Sequence, residues 1–419
     1  MNKRGSFGRS AFAIMAAWGL GVAVAGAQDG TWTYNGGDYW SNTVRWLGGT
    51  VADGAGFSAF FTNNISADRV VTIDTAQVIG HLVIGDANLG NIFTFRTNAT
   101  GSLTFDNGGG TATVTTVGKG FSIHSPFILN SDLNFSIMTN VNVTLNGQVS
   151  GANKSLTKSG PGRLILTSSN TYTGATIING GVLRINRSDY IDTSRNVVLN
   201  NGILEFVTNN FTRSGGLGGG INQIQIVGGV AGFTHISDNS DRTVTIGAGG
   251  SELQWGSPYF NPSIFVLNSS NANRLVSLDN AIDLNGAYRE IDTVSSVGRV
   301  NRPITNGAGT VAGLIKGGAG TLDLTSSNNY DGTTTILNGA LRLSSTPWAL
   351  STNNTLILNG GVLEFNVAHA YQTPVLGTGA GKVQFAGAAG FGTISSVRSV
   401  NVNGTGETLK MGDGALANW

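Results

Sequence analysis

The stretch LTKSGPGRLILTSSNTYTGATIINGGVLRI at residues 156–185 returns as LIKGGAGTLDLTSSNNYDGTTTILNGALRL at residues 314–343. The two copies align without a gap at an offset of 158 residues, and 17 of their 30 positions are identical. A unit that is repeated at this length is either a duplicated site or a piece of scaffold. The residue types that recur decide between the two.

Apolar residues alternate within each copy. Leu164 and Leu166 are kept in the second copy, while Ile165 between them becomes Asp323. A period of two is typical of a strand with one buried face and one solvent-facing face. The pattern predicts three short strands in each copy. We expect Leu164, Leu166, Ile178 and Leu183 in the core and the intervening positions in solvent.

Turn residues separate these strands at matched places. Gly160, Gly162, Asn170 and Gly174 recur 158 residues later, and no window of the chain carries a 3.6-residue apolar period. A single coil of such strands cannot bury its own inward face, so coils must stack. The sequence therefore predicts an all-β fold, a right-handed parallel β-helix (β-solenoid) with tandem multi-coil repeats.

The composition agrees with this fold and excludes some functions. The chain has 419 residues with 63 Gly, only 11% charged residues, a net charge of +1 and no Cys. Asn, Gly, Thr and Val favour tight turns and extended strands. The near-zero charge argues against nucleic acid or an anionic membrane as partner. Cysteine nucleophiles and disulfides are excluded outright.

The N-terminus has the pattern of a secretory signal peptide. Lys3, Arg4 and Arg9 precede an apolar run over residues 11–24, which ends at a small-x-small cleavage site over residues 25–27. We therefore divide the chain into a signal peptide at 1–27, an aromatic-rich cap at 28–60 and a β-solenoid at 61–419. Further matches show that the true unit is near 158 residues, and we expect the last long repeat to be incomplete.

The repeated stretch resembles the autotransporter-associated β-strand repeat. The positions that carry the resemblance are Lys158, Gly160, Gly162, Leu164, Leu166, Asn170, Tyr172, Gly174, Thr176 and Gly181, with their partners 158 residues later. The resemblance implies a bacterial autotransporter passenger-like β-helix, exported to the extracellular space or the outer-membrane surface of a Gram-negative-type cell. It implies no reaction.

Catalytic motifs are sparse. The sequence has no G-x-S-x-G or H-E-x-x-H pattern, and its four histidines are isolated. The densest polar stretch contains Asp238, Asp241 and Arg242, residue types that assist proton abstraction in β-helical polysaccharide lyases. The equivalent stretch 158 residues later lacks these charges. The three residues are therefore either a unique catalytic site or an ordinary solvated turn.

Aromatic residues cluster near the start of the expected mature chain, at Trp32, Tyr34, Tyr39, Trp40 and Trp46. Exposed aromatic rings stack on sugars, so these residues are glycan-binding candidates. The other interpretation is that bulky side chains plug the open end of the first coil.

The reading with the most support is a secreted or cell-surface protein with a structural or adhesive role and no evident catalysis. The alternatives are a carbohydrate-active β-helix enzyme, either a lyase or a hydrolase, and a glycan-binding module. We expect no cofactor, no metal and no transmembrane segment in the mature chain. The expected partners are an extracellular polysaccharide or a surface or matrix protein, and not nucleic acid.

Overall fold

The computed structural model describes residues 27–191, 195–236, 239–307, 311–345, 350–351, 353–366 and 375–393. The regular structure in these ranges is almost entirely β-strand, and the named strands pair in parallel throughout. They wind into a solenoid of about 13 turns. The prediction of an all-β, parallel β-solenoid is confirmed.

The elements follow one another as short strands with three single-turn 3-10 helices. The first coils contain β1 (Gly30–Thr31), β2 (Asp38–Tyr39), η1 (Thr43–Arg45), η2 (Leu47–Gly49), β3 (Gly54–Phe61), β4 (Arg69–Ile73), β5 (Ala76–Ile84), β6 (Phe93–Thr97), β7 (Ser102–Phe105), β8 (Ala112–Thr116), β9 (Ser122–Ile123), β10 (Phe127–Leu129), β11 (Leu133–Ser136), β12 (Asn142–Leu145) and β13 (Val149–Ser150). The middle coils contain β14 (Leu156–Ser159), β15 (Arg163–Leu166), β16 (Thr176–Asn179), β17 (Val182–Arg187), η3 (Ser188–Tyr190), β18 (Val197–Asn200), β19 (Ile203–Thr208), β20 (Phe211–Arg213), β21 (Ile224–Val227), β22 (Val230–His235), β23 (Arg242–Ile246), β24 (Leu253–Gln254), β25 (Phe260–Asn261), β26 (Ile264–Leu267) and β27 (Val276–Leu278). The last described coils contain β28 (Ile282–Asp283), β29 (Tyr288–Asp292), β30 (Val297–Val300), β31 (Ile304–Thr305), β32 (Gly313–Gly317), β33 (Thr321–Leu324), β34 (Thr334–Ile336), β35 (Ala340–Leu343), β36 (Leu356–Leu358), β37 (Val362–Phe365), β38 (Val375–Leu376), β39 (Lys382–Phe385) and β40 (Gly390–Thr393).

In the described ranges the strands stack into four sheets along the solenoid. Sheet 1 has 13 strands and ends at β25, sheet 2 has 16 strands and runs from β2 to the β38–β39 pair, sheet 3 has eight strands from β20 to β40, and sheet 4 has three strands, β24, β28 and β31. The nine-residue β5 splits sheet 1 into two columns, because its first half pairs with β7 and its second half with β8.

The core follows the alternation seen in the sequence. Leu164, Leu166, Ile178, Leu183 and their partners in the second copy are all buried, as predicted. Successive coils stack through the same inward positions, so that Leu164 sits over Leu183 and Leu183 over Leu204. The repeat is scaffold at these positions.

The outward positions are less exposed than the alternation predicted. Ile165 is half-buried, and Asp323 at the equivalent place is fully buried although it lies on the outer face. The Arg299 guanidinium lies 2.9 Å from the Asp323 carboxylate, and Ser344 Oγ donates to it at 2.6 Å. The expectation of a solvent-facing Asp323 was wrong, because neighbouring coils bring these side chains over it.

The two copies of the repeat occupy different sides of the solenoid. In the first copy β14 and β16 lie in sheet 1 and β15 and β17 in sheet 2. In the second copy the equivalent β32 and β34 lie in sheet 2, and β33 and β35 lie in sheet 3. Between the copies the spacing of paired residues grows from 20, at Leu156↔Thr176, to 34, at Val230↔Ile264. The longer coils between the copies add sheet 3 before sheet 1 ends at β25. The second copy therefore lies on sheets 2 and 3, whereas the first copy lies on sheets 1 and 2.

Candidate functional site

The repeat buries a lysine in each copy. Lys158 Nζ donates to the carbonyl oxygens of Ser159, Gly160 and Gly180 at 2.8, 2.7 and 3.1 Å. The second copy repeats these bonds from Lys316 to Gly317, Gly318 and Asn338, at 2.6, 2.7 and 3.1 Å. Burial lowers the pKa of each ammonium to about 8. The three carbonyl oxygens hold the charge inside the stack at neutral pH.

Asn170 and Tyr172 are also buried, although the sequence placed them in a turn. Asn170 Oδ1 accepts from Val149 N at 2.9 Å, and its amide donates to Ser168 O and Tyr190 O, both at 2.9 Å. It therefore joins three successive coils. Tyr172 pairs its hydroxyl with Thr176 Oγ1 at 2.6 Å, as Tyr330 does with Thr334 at 2.7 Å. Lys158 and Asn170 therefore tie backbone segments together, and the side chains of Lys158, Asn170 and Tyr172 are all buried in the stack.

Three of the five aromatic candidates are buried. Trp32, Trp40 and Trp46 pack against one another and against Phe61, with ring centroids 5.1 to 5.5 Å apart. Each indole N–H donates to a backbone carbonyl, at Tyr34, Ala52 and Trp40 respectively. These rings offer no face to a sugar. The prediction that these three tryptophans bind glycan was wrong, because their side chains are buried and fill the end of the first coils.

Tyr34 and Tyr39 remain exposed at this end. The Arg45 guanidinium lies 3.9 Å from the centre of the Tyr34 ring and also contacts the Asp38 carboxylate at 2.5 Å. The Arg45 contact lowers the pKa of Asp38. One ring face of Tyr34 is therefore already occupied by a cation, and Tyr39 is the more open aromatic of the pair.

The polar stretch around residue 240 does not assemble a catalytic group in the described residues. Asp238 lies outside them. Asp241 Oδ1 accepts from Leu275 N at 3.2 Å, and Arg242 Nη1 donates to the Asp241 carbonyl at 3.1 Å. His235 is buried with its ring nitrogens 3.0 Å from Phe206 O and 2.7 Å from Ser240 O. These contacts fit a turn held by backbone hydrogen bonds.

Sequence reasoning missed a group on the outer face of sheet 2. Tyr288, Glu290 and Asp292 point outward from β29, and Tyr288 is 55% exposed. The two carboxyl groups lie side by side over Gly317, where a Cβ would not fit. Burial raises the pKa of both carboxyls, and the Asp292 charge raises that of Glu290 further. Only the Y-x-E-x-D spacing signalled this group.

The described ranges contain no group of three or more His, Cys, Asp or Glu side chains placed to hold a metal ion. They also contain no helix of the length and apolarity required to span a bilayer.

Comparison with known proteins identifies the repeat. The passenger-associated-transport-repeat family model matches residues 156–185 and 314–343. Over 373 residues the chain is 28% identical to the adhesin BmaC autotransporter of Brucella suis biovar 1 (strain 1330). That alignment covers 84% of this chain but 8% of the relative's length. No solved structure matches the chain. The chain is therefore a parallel β-solenoid that carries two passenger-associated-transport-repeats and is similar in sequence to an autotransporter adhesin.

Proposed function

We propose that the chain is a cell-surface passenger segment that displays adhesive surfaces on a β-solenoid rod and carries out no reaction. The observation that carries the proposal is the continuous parallel ladder of sheet 2, which passes through both transport repeats. Such a ladder fixes many outward side chains in a regular array along one axis. An array of this kind suits weak contacts made many times over, as adhesion requires.

Export is part of the same proposal. Residues 1–27 have the signal-peptide pattern, although residues 1–26 lie outside the described residues. Together with the likeness to an autotransporter adhesin, this pattern supports a location at the outer surface of a Gram-negative cell. The proposed partner is a surface or matrix protein, or an extracellular polysaccharide.

The test measures adhesion and turnover of the purified chain together. Beads coated with the chain are offered to host-cell monolayers and matrix-coated wells, and soluble chain is incubated with a polysaccharide array in calcium and in chelator. Adhesion without new reducing ends or unsaturated products is the expected result. Turnover of any polysaccharide, or beads that adhere no better than albumin-coated beads, would contradict the proposal.

A second candidate function, carbohydrate processing, is favoured by the Tyr288, Glu290 and Asp292 group. An exposed ring beside two adjacent carboxyls whose pKa values are raised by burial has the residue types of a site that stacks a sugar and protonates a glycosidic oxygen. If this function holds, Glu290→Gln abolishes turnover on the array, while Glu252→Gln, an exposed residue elsewhere, leaves it unchanged. Equal turnover in both variants rules out this group.

A further inference from the structure

One corner of the solenoid, between sheets 1 and 2, is open in the N-terminal coils. Three stacked loops form it: residues 85–92 before β6, residues 117–121 before β9 and residues 137–141 before β12. Together they enclose a groove of about 560 Å³, which we name the corner groove. The same corner in the first transport repeat is closed by the tight turn through Gly160 and Gly162, which packs directly on the Met138 carbonyl.

The first loop of the groove is held rigid by a buried carboxylate. Asp86 accepts from the backbone N–H groups of Ile65, Gly90 and Asn91, at 3.0, 3.0 and 2.9 Å. Lys119 Nζ, from the second loop, donates to Gly90 O at 2.6 Å. The loop is therefore fixed both to the coil beneath it and to the coil above it.

This rigid loop presents Leu89 to solvent in a strained conformation. Leu89 has a φ of 61°, in the left-handed region that bulky side chains avoid, and its side chain is 61% exposed. Such a backbone costs about 1–2 kcal/mol, and in native proteins it is concentrated at binding and active sites. Burial therefore does not account for a leucine at this place.

The groove combines apolar side chains with hydroxyl and amide groups and one positive charge. Leu89, Ile92 and Met138 contribute apolar walls, and Lys119 is the one charged residue among the described residues that line it. Lys119 uses one of its three N–H donors within the protein, which leaves two for a partner. Phe121 is 2% exposed, so the groove offers no open ring face on which a sugar would stack.

We propose that the corner groove binds an extended peptide segment of a partner protein, with an apolar side chain between Leu89 and Met138 and a nearby carboxylate on Lys119. Coils spaced ~4.8 Å apart place the outer loops about 10 Å apart, the span of about three extended residues. This inference rests on the proposed adhesive function and names its protein-binding surface.

The test begins with a phage-displayed heptapeptide library panned on the immobilised chain. Enriched peptides should carry Asp or Glu within two positions of a large apolar residue. Labelled copies of these peptides are then titrated against the chain and its variants by fluorescence anisotropy. Leu89→Asn, which suits the left-handed backbone, and Lys119→Gln should each weaken binding by about tenfold with an unchanged melting temperature. Val117→Ser, on the same corner but outside the groove lining, is the matched control and should bind as the parent does.

Other outcomes overturn the inference. Failure to enrich acidic apolar peptides, or equal affinity of all variants, excludes the groove as a peptide site. A polysaccharide or a second copy of the chain that binds the parent but not Leu89→Asn would identify a different occupant. The adhesion assay separates the two proposals. If Leu89→Asn beads adhere as well as the parent, the adhesive function stands and the groove is not its surface.

Discussion

At the scale of single residues, the transport repeat depends on polar groups buried among apolar ones. Lys158 and Lys316 each satisfy carbonyl oxygens at the glycine turns that join one sheet to the next. A buried carbonyl without a partner costs about 1–3 kcal/mol, so the lysine stabilises a corner that the glycine backbone alone would leave unpaired. The repeat keeps its lysine because the corner requires a long donor, not because it needs a surface charge.

Replacing this lysine should therefore destabilise the protein. Lys158→Met keeps the approximate length of the side chain but removes the donor to Gly160 O and Gly180 O, while Ser159 O still accepts from Ile137 N. We expect the free energy of unfolding to fall by about 3 kcal/mol in urea titration. Lys154→Met, at a half-exposed lysine in the preceding turn, is the control and should change it by less than about 0.5 kcal/mol. Equal stability of the two variants would show that the Lys158 bonds contribute nothing.

The same lysines predict a dependence on pH. Their pKa is about 8 in the folded chain against an ordinary value of 10.5. Between these values the unfolded chain binds more protons, so the free energy of unfolding should rise as the pH increases from 8 to 10.5 and then level off. Lys158→Met should lose about half of this rise. Parallel stability curves for parent and variant over this range would contradict the assignment.

Some residue roles could be read from the sequence and others could not. Period-two alternation correctly gave the inward leucines, because a strand has only two faces. It places Lys158 on the same face as Leu156, but it gave no way to see that a lysine is accommodated there by backbone carbonyl oxygens. Asn170 and Tyr172 lie outside the strands, where alternation predicts no inward direction. The same holds for the tryptophans, whose burial depends on Phe61 and on how the first coil closes.

At the scale of elements, cross-strand register organises both faces of the sheets. On sheet 3 the outward residues Arg299, Asp323, Arg342 and Glu364 lie directly over one another with alternating charge. Opposite charges on paired strands stabilise the register in which they meet. The sequence showed these residues only as charged positions flanked by apolar residues or glycine, because the pairing depends on the length of each coil.

A matched pair of substitutions tests the inward and outward assignments on β15. Leu166→Asp places a charge in the core, and we expect a loss of more than about 3 kcal/mol in the free energy of unfolding. Ile165→Asp copies the residue that the second repeat has at this position and lies beside Arg184. It should cost less than about 1 kcal/mol. Thermal unfolding that affects Ile165→Asp more than Leu166→Asp would reverse the assignment of faces.

At the scale of the whole molecule, the set of sheets that forms the solenoid wall changes along the axis, while the apolar core stays continuous. Sheet 1 ends at β25 while sheet 2 continues into β29. The second transport repeat therefore lies on sheets 2 and 3 and not on sheets 1 and 2. Repetition in the sequence predicted the stack of coils. It did not predict this shift, which arises in the longer coils between the repeats.

The absence of native cysteine makes the shift testable by cross-linking. Ile264 and Glu290 are register partners on sheet 2, so Ile264→Cys/Glu290→Cys should form a disulfide on mild oxidation. Asn261→Cys/Glu290→Cys, with its first cysteine on the last strand of sheet 1, should not. Non-reducing mass spectrometry of tryptic peptides distinguishes them. Cross-linking of the second pair in place of the first would put β29 on sheet 1.

Hydrogen exchange of the purified chain, followed by mass spectrometry, tests most directly the claim that the transport repeats are scaffold. Strand amides in a continuous parallel ladder open only with the stack, whereas loop amides exchange locally. We expect peptides from residues 156–185 and 314–343 to be among the slowest to exchange and to match each other, although they lie on different sides. Exchange in either repeat as fast as in the exposed loops would contradict the account.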